Sequence, residues 1–220
     1  MSVETTLARL LAIDTCALSD ALDKLGLAGQ ATGLRRESGN GRVAGVATTV
    51  LLDAGAPPEG PPRHLCTTAI ERAGANSVIV VEQRTGVEAG CWGGLLTRGA
   101  LAAGVRGVVA DGPVRDIDEA RELDFPVFTN RLTCLTARGR VVERATDVPV
   151  TIGAATVHPG DFIVADGSAV IVIRPADVAR VLETAEAIVA REALMIAEIA
   201  RGTAMGAVLG GDYEHMLARN

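Results

Sequence analysis

The stretch Gly90-Cys91-Trp92-Gly93-Gly94-Leu95-Leu96-Thr97-Arg98-Gly99-Ala100-Leu101-Ala102-Ala103-Gly104-Val105-Arg106-Gly107-Val108-Val109-Ala110-Asp111-Gly112-Pro113-Val114-Arg115-Asp116-Ile117-Asp118-Glu119-Ala120-Arg121-Glu122 decides how this chain folds. It reads as a glycine turn, a helix over about 95–103, a buried strand over 107–110, an Asp111-Gly112-Pro113 turn and a second helix entered at Arg115-Asp116. A helix of ~9 residues carries the chain away by about 1.5 Å per residue. A strand of ~4 residues brings it back by about 3.3 Å per residue. The two displacements nearly cancel, so Gly93-Gly94 and Arg115-Asp116 should share one end of the unit, although twenty residues separate Gly94 from Arg115.

That end has the parts to bind an anionic oxo acid and a cation. Two glycines allow close backbone approach, and the free N–H groups of Leu95 and Leu96 at a helix start favour a carboxylate. Arg115 offers a rigid fork of donors to a carboxylate or enolate oxygen, and Asp116 is a hard oxygen ligand suited to Mg²⁺ or Mn²⁺. The same residue types also admit a plainer reading: Asp111-Gly112 as a turn, Asp116 as a helix N-cap and Arg115 as a surface charge.

Gly94, twenty intervening residues, then Arg115-Asp116-x-x-Glu119 resembles the signature of the RraA-like family, which includes divalent-metal-dependent 4-hydroxy-4-methyl-2-oxoglutarate / 4-carboxy-4-hydroxy-2-oxoadipate aldolases. Further stretches agree with it in order and spacing: Leu18-Ser19-Asp20-Ala21-Leu22, Val43 to Thr49, Phe125-Pro126-Val127-Phe128, and Val157-His158-Pro159-Gly160-Asp161. The resemblance covers about residues 15 to 201. It implies one RraA-like domain over 1–220, of the α/β class, with a swivelling β/β/α-type fold. A small closed barrel would be flanked by helices, with a C-terminal helical arm over 175–220.

The function implied is that of a carbon–carbon lyase, a class II pyruvate aldolase acting on 4-hydroxy-4-substituted 2-oxo diacids, with oxaloacetate decarboxylase activity as a companion. Mg²⁺ or Mn²⁺ would be held directly by Asp116, and Arg115 with the Leu95 and Leu96 amides would fix the 2-oxo acid. Glu119, one helical turn after Asp116, would act through water. In the family a glutamate from a neighbouring subunit's C-terminal helix also reaches the site; Glu192 is the best match and Glu198 the second. A homotrimer or hexamer follows from the resemblance. The alternative it leaves open is a non-catalytic regulator that covers a ribonuclease. One departure stands out: many relatives place an acidic residue at the position held here by Gly94, which puts a water-orienting carboxylate in question.

Composition narrows the field further. With aromatic content of only 2%, the core must be built from Val, Leu, Ile and Ala. A net charge of −6 argues against a nucleic-acid surface, which needs clustered cations. Cys16, Cys66, Cys91 and Cys134 form no C-x-x-C motif, so reduced thiols in a cytoplasmic protein are expected. No apolar run reaches the ~20 residues that span a bilayer. No G-x-G-x-x-G follows a strand, so no dinucleotide site is expected.

Along the rest of the chain, periodicity predicts helices over 3–13, 18–25, 64–73 and 175–200. Strands are expected over 42–52, 77–82, 126–129, 147–152, 162–166 and 170–174. Residues 26–41 read as a polar glycine-rich segment and 53–63 as a proline-broken loop. Ser19 and Asp20 read as a helix cap, and Trp92 as a shield for the site wall, a subunit contact or ordinary packing. His64, His158 and His215 lack partners at chelating spacing.

Overall fold

The computed structural model describes residues 1–56, 59–60 and 63–210. The expected loop over 53–63 lies partly outside these residues, as do His215 and the last ten residues of the expected arm.

In chain order the elements are α1 (Val3–Ala12), α2 (Thr15–Leu25), β1 (Gln30–Ala31), β2 (Arg35–Ser38), β3 (Val43–Ala54), α3 (Thr67–Arg72), β4 (Ser77–Glu82), α4 (Gly94–Ala102) and β5 (Val108–Asp111). They continue with α5 (Ile117–Glu122), β6 (Val127–Thr129), β7 (Val141–Thr146), β8 (Val150–Ile152), β9 (Ala155–Val157), β10 (Phe162–Ala165), β11 (Val170–Ile173), α6 (Val178–Ala200) and α7 (Met205–Val208).

One mixed sheet of nine strands organises the molecule, in the order β1-β11-β10-β3-β4-β5-β6-β2 with β7 added beside β3. The neighbours β3-β4, β4-β5 and β5-β6 are parallel, and the remaining pairs are antiparallel. The sheet curls into a half-barrel rather than closing by a continuous ladder. Its two end strands, β1 and β2, are consecutive in sequence, so residues 32–34 join the ends covalently where no ladder does.

Strand alternation explains why the sheet is covered on both sides. Val78 and Val80 of β4 point into the concave interior with Val43, Ala47, Val109, Phe128, Ile163 and Val172. Ile79 and Val81 point the other way, beneath α3, α4 and α5, where they meet Leu96, Ala100, Val108 and Phe125. At the other end of the sheet, Val164, Ile171 and Ile173 form a third core with α1, α2 and α6. Each fully buried Val, Leu or Ile stabilises by about 1.5–3 kcal/mol relative to exposure, so a mostly aliphatic core, with Trp92, Phe125 and Phe128 as its largest members, holds the layers.

The amphipathic α6 buries Val181, Leu182, Ala185 and Ile188, and a bidentate Arg9–Glu186 pair (2.7 Å for both bonds) ties it to α1. Beyond that its character changes: Leu194 and Ile196 are 70% and 66% exposed.

The structure corrects several sequence expectations. The polar segment 26–41 contains β1 and β2, and the stretch before 147 contains β7. These are short or edge strands whose place is set by pairing with β11, β6 and β3, and their own residues show no strand alternation. The cap of α2 is Asp14, whose Oδ1 accepts from the Ala17 N–H at 2.9 Å. Ser19 and Asp20 lie inside the helix instead.

Candidate functional site

The parallel strands β4 and β5 are neighbours, so the segments that follow them leave the sheet from the same edge. This is the edge of an α/β sheet where ligands characteristically bind. The segments run on as a minor extension of the sheet: Trp92 bridges Val114, and Val114 bridges Leu132, all in parallel. The Cys91 N–H donates to Pro113 O at 2.8 Å and the Arg115 N–H to Trp92 O at 3.0 Å. Trp92 itself is 1% exposed, stacked on Phe125 at 6.4 Å between centroids, and its Nε1–H donates to Thr97 Oγ1 at 3.0 Å. Packing, the plainest of its three sequence readings, describes it; it pins the diglycine to the first turn of α4.

Within that frame the expected residues meet. The Gly94 N–H donates to Asp116 Oδ2 at 3.1 Å, bridging the twenty-residue gap. Arg115 Nε donates to Asp116 Oδ1 at 3.3 Å. Glu119 lies over the next residue, and Arg98 Nε donates to its Oε2 at 3.3 Å. A Cβ on Gly93 would fall 2.8 Å from Asp116 Oδ2, and one on Gly94 would fall 2.5 Å from Glu119 Oε2. The missing side chains therefore make room for the two carboxylates.

Asp116 occupies the position before α5 with φ of 56°, in the left-handed region, and makes no side-chain cap bond to its own helix. The N-cap reading of Asp116 therefore describes its location and not its bonding. Aspartate tolerates this region better than most residues, and Cys66, Asp124 and Asp147 adopt it elsewhere in the chain, so the conformation sets the direction of the side chain without itself marking a site.

At the start of α4 the first helical bond is from the Thr97 N–H to Gly93 O. The Leu95 and Leu96 N–H groups precede it and have no acceptor among the described residues. They are the orphan donors of a helix N-terminus. The Leu95 side chain is 87% exposed while Leu96 is buried.

Asp116 and Glu119 fit a hydrated divalent ion better than an enclosed one. No group of three or more His, Cys, Asp or Glu residues capable of holding a metal occurs among the described residues. Mg²⁺, however, usually takes one or two carboxylates, keeps several waters and completes its shell with substrate oxygens. The Asp116 side chain is 35% exposed, and a carboxylate has about four lone-pair sites, so lone pairs remain beyond those used by Gly94 and Arg115.

Glu192 is not brought to this place within one chain. It sits near Asp14 and Asp20, and burial, followed by those two carboxylates, pushes its carboxyl above the ordinary range. Glu198 pairs with Arg201 and Thr203. Asp166 accepts from the Thr15 N–H and Oγ1–H at 2.9 and 2.6 Å. The buried cysteines serve packing: the Cys66 thiol donates to Cys91 O, and the Cys91 thiol to Pro113 O. Sequence reasoning missed Arg98. The available signal was its position four residues after Gly94, on the same face of α4.

The curled sheet and the charged cluster at its parallel edge define a recognisable class, and the chain belongs to the RraA-like family, Aldolase/RraA, whose model matches residues 15–172. Protein DlpA of Legionella pneumophila is 31% identical over 169 residues, 76% of this chain; the match spans only 27% of that longer protein. A Halalkalibacterium halodurans protein, provisionally named 4-hydroxy-4-methyl-2-oxoglutarate aldolase, is 30% identical over 79% of each chain. Among solved structures, an uncharacterized protein from Pseudomonas syringae pv. tomato superposes with a TM-score of 0.84 at 30% identity, covering 94% of this chain and 98% of that one. No helix among the described residues is long and apolar enough to cross a membrane.

Proposed function

We propose that the chain is a divalent-metal-dependent carbon–carbon lyase that releases pyruvate from 4-hydroxy-4-substituted 2-oxo diacids, with oxaloacetate decarboxylation as a related activity. The observation that carries this reading is the contact of Asp116 Oδ2 with the Gly94 N–H at 3.1 Å, which puts a carboxylate beside the two orphan amides of α4. The provisional aldolase names among its relatives support the same class.

In this reading the Leu95 and Leu96 amides and Arg115 bind the carboxylate of the 2-oxo acid, and Arg115 faces the oxygen that gains charge as the C3–C4 bond breaks. Such preorganised donors are worth about 2.7–4 kcal/mol each in well-placed cases. Asp116 would hold Mg²⁺ or Mn²⁺ directly and Glu119 through water. When bound, that ion supplies Lewis-acid polarisation of the keto oxygen. Glu119, lying over Gly94, orients the water that accepts the 4-hydroxyl proton. Glu119 thereby delivers a carboxylate to the space that a side chain at position 94 would fill, the role that the glycine there had put in question.

The projecting, apolar end of α6 supports assembly into a homotrimer or hexamer, in which a neighbour's Glu192 would complete the site. The alternative of a ribonuclease regulator requires no such meeting of Arg98, Arg115, Asp116 and Glu119, and the cluster favours the enzyme.

The test is a coupled assay for pyruvate released from oxaloacetate and from 4-hydroxy-4-methyl-2-oxoglutarate, with Mg²⁺ and with chelator. Metal-dependent release that vanishes in Asp116→Ala is expected. Turnover indifferent to chelator, or absent altogether with both substrates, would overturn the reading.

A further inference from the structure

Two arginine–carboxylate pairs lie side by side over the diglycine. Asp116 occupies the space over Gly93 and is held by Arg115; Glu119 occupies the space over Gly94 and is held by Arg98. In both pairs the arginine uses Nε, and among the described residues neither Arg98 nor Arg115 has a partner for its terminal Nη nitrogens. Two unused guanidinium forks thus stand beside the same helix start, one anchored to each carboxylate.

The charges of the four groups cancel, so a divalent ion and a doubly charged diacid entering together leave the site neutral. A 2-oxo monoacid needs one fork together with the orphan amides of Leu95 and Leu96. A diacid has a second carboxylate, and holding that group requires a second set of directed donors. Arg98 meets the requirement. It lies one helical turn beyond Gly94 on the same face of α4, its side chain is 56% exposed, and its bond to Glu119 restricts the long side chain before any ligand arrives. A guanidinium anchored at Nε still presents two parallel donors to a carboxylate, the bidentate geometry that gives arginine its selectivity for this group.

From this geometry we infer that Arg98 receives the distal carboxylate of the substrate and makes the site selective for 2-oxo diacids over 2-oxo monoacids of the same length. The inference rests on the 2-oxo acid reading above and adds to it a residue that sets substrate class. Arg115 and Arg98 then divide the labour, one at the reacting end and one at the far end. Glu119 links the two, because the carboxylate that orients water also holds the selecting arginine.

The experiment is calorimetric titration of the full chain, in Mg²⁺, with 2-oxoglutarate and with 2-oxopentanoate, a pair matched in length that differs in the terminal carboxylate. The wild type should bind 2-oxoglutarate more tightly by about tenfold, the scale of one hydrogen bond to a charged group. Arg98→Ala should lose that advantage while binding 2-oxopentanoate within about twofold of the wild type, and Arg98→Lys should restore part of it. Equal weakening of both ligands in Arg98→Ala would show that Arg98 only positions Glu119 and would overturn the inference while leaving the 2-oxo acid reading intact. A preference for the diacid that survives in Arg98→Ala would do the same. Binding of neither ligand to folded wild type would remove both the reading and the inference.

Discussion

Glu119 occupies the place where residue 94 would otherwise carry a side chain: a Cβ built on Gly94 falls 2.5 Å from Glu119 Oε2. The two positions are twenty-five apart in sequence, yet they compete for one volume at the edge of the sheet. The nearest obstacle is the far end of a flexible side chain, so the fold can yield there but the site geometry cannot. Gly94→Ala should therefore fold with stability within about 1 kcal/mol of the wild type, since alanine is a better helix former than glycine. Pyruvate release should fall by up to about a hundredfold, the scale of an ångström-sized misplacement of a catalytic group. Thermal unfolding and a steady-state assay on one preparation check both halves.

Asp116 tests the metal directly. Asp116→Asn keeps a residue that tolerates the left-handed conformation and can still accept from the Gly94 N–H, so the fold should persist. Its amide oxygen is a much weaker ligand for Mg²⁺ than a carboxylate. Binding of Mn²⁺, followed by its paramagnetic relaxation of water, should be lost or weakened at least tenfold, with activity falling in parallel. Wild-type Mn²⁺ affinity in the variant would remove Asp116 from the metal site.

Glu192 links stability to pH. Burial, then Asp14 and Asp20, raise its carboxyl in the folded chain, so its ionisation opposes folding. That penalty is fully present above the folded pKa and is relieved as pH falls toward the unfolded value of about 4.3. Glu192→Gln should raise the melting temperature at pH 7, and the difference should vanish near pH 4. A variant less stable than the wild type at pH 7 would mean that Glu192 has a favourable partner, as a neighbouring subunit would supply.

Trp92, the sole tryptophan, reports on the junction between the diglycine and α4. Trp92→Phe preserves an aromatic ring against Phe125 but removes the donor to Thr97, costing about 1 kcal/mol. Trp92→Ala also opens a cavity and should cost about 3–5 kcal/mol. Urea unfolding followed by circular dichroism ranks the two.

Thiol chemistry provides a check on packing. Burial pushes the Cys91 thiol up to about 12 and Cys66 well above its ordinary value, whereas Cys16 and Cys134 are exposed. An aromatic disulfide reagent at pH 8 should titrate two thiols in native protein and four after denaturation. Rapid reaction of a third native thiol would contradict the packing around Cys91 and the segment that bears the site.

Much of this molecule was legible in its sequence because the signals are local. The strand expected over 77–82 is β4, whose four central apolar residues are all buried. The near-equal lengths of α4 and the returning β5 foretold that Gly94 and Asp116 would meet, and the structure joins them by a hydrogen bond. The short strands β1, β2 and β7 were not legible, because β-structure at an edge is specified by its partner and not by its own residues. The cap of α2 was misread for a related reason: Ser19 and Asp20 are good capping residues, but the chain enters the helix earlier, at Asp14.

The sequence by itself determined the residue types at the parallel edge and the spacing that returns them to one point, since rise per residue and strand alternation are properties of the backbone. Only the tertiary structure decided which carboxylate stands over which glycine, that Arg98 belongs with them, and that Glu192 faces Asp14 and Asp20 within its own chain. Those choices depend on side-chain packing between elements far apart in sequence, and no local period encodes them.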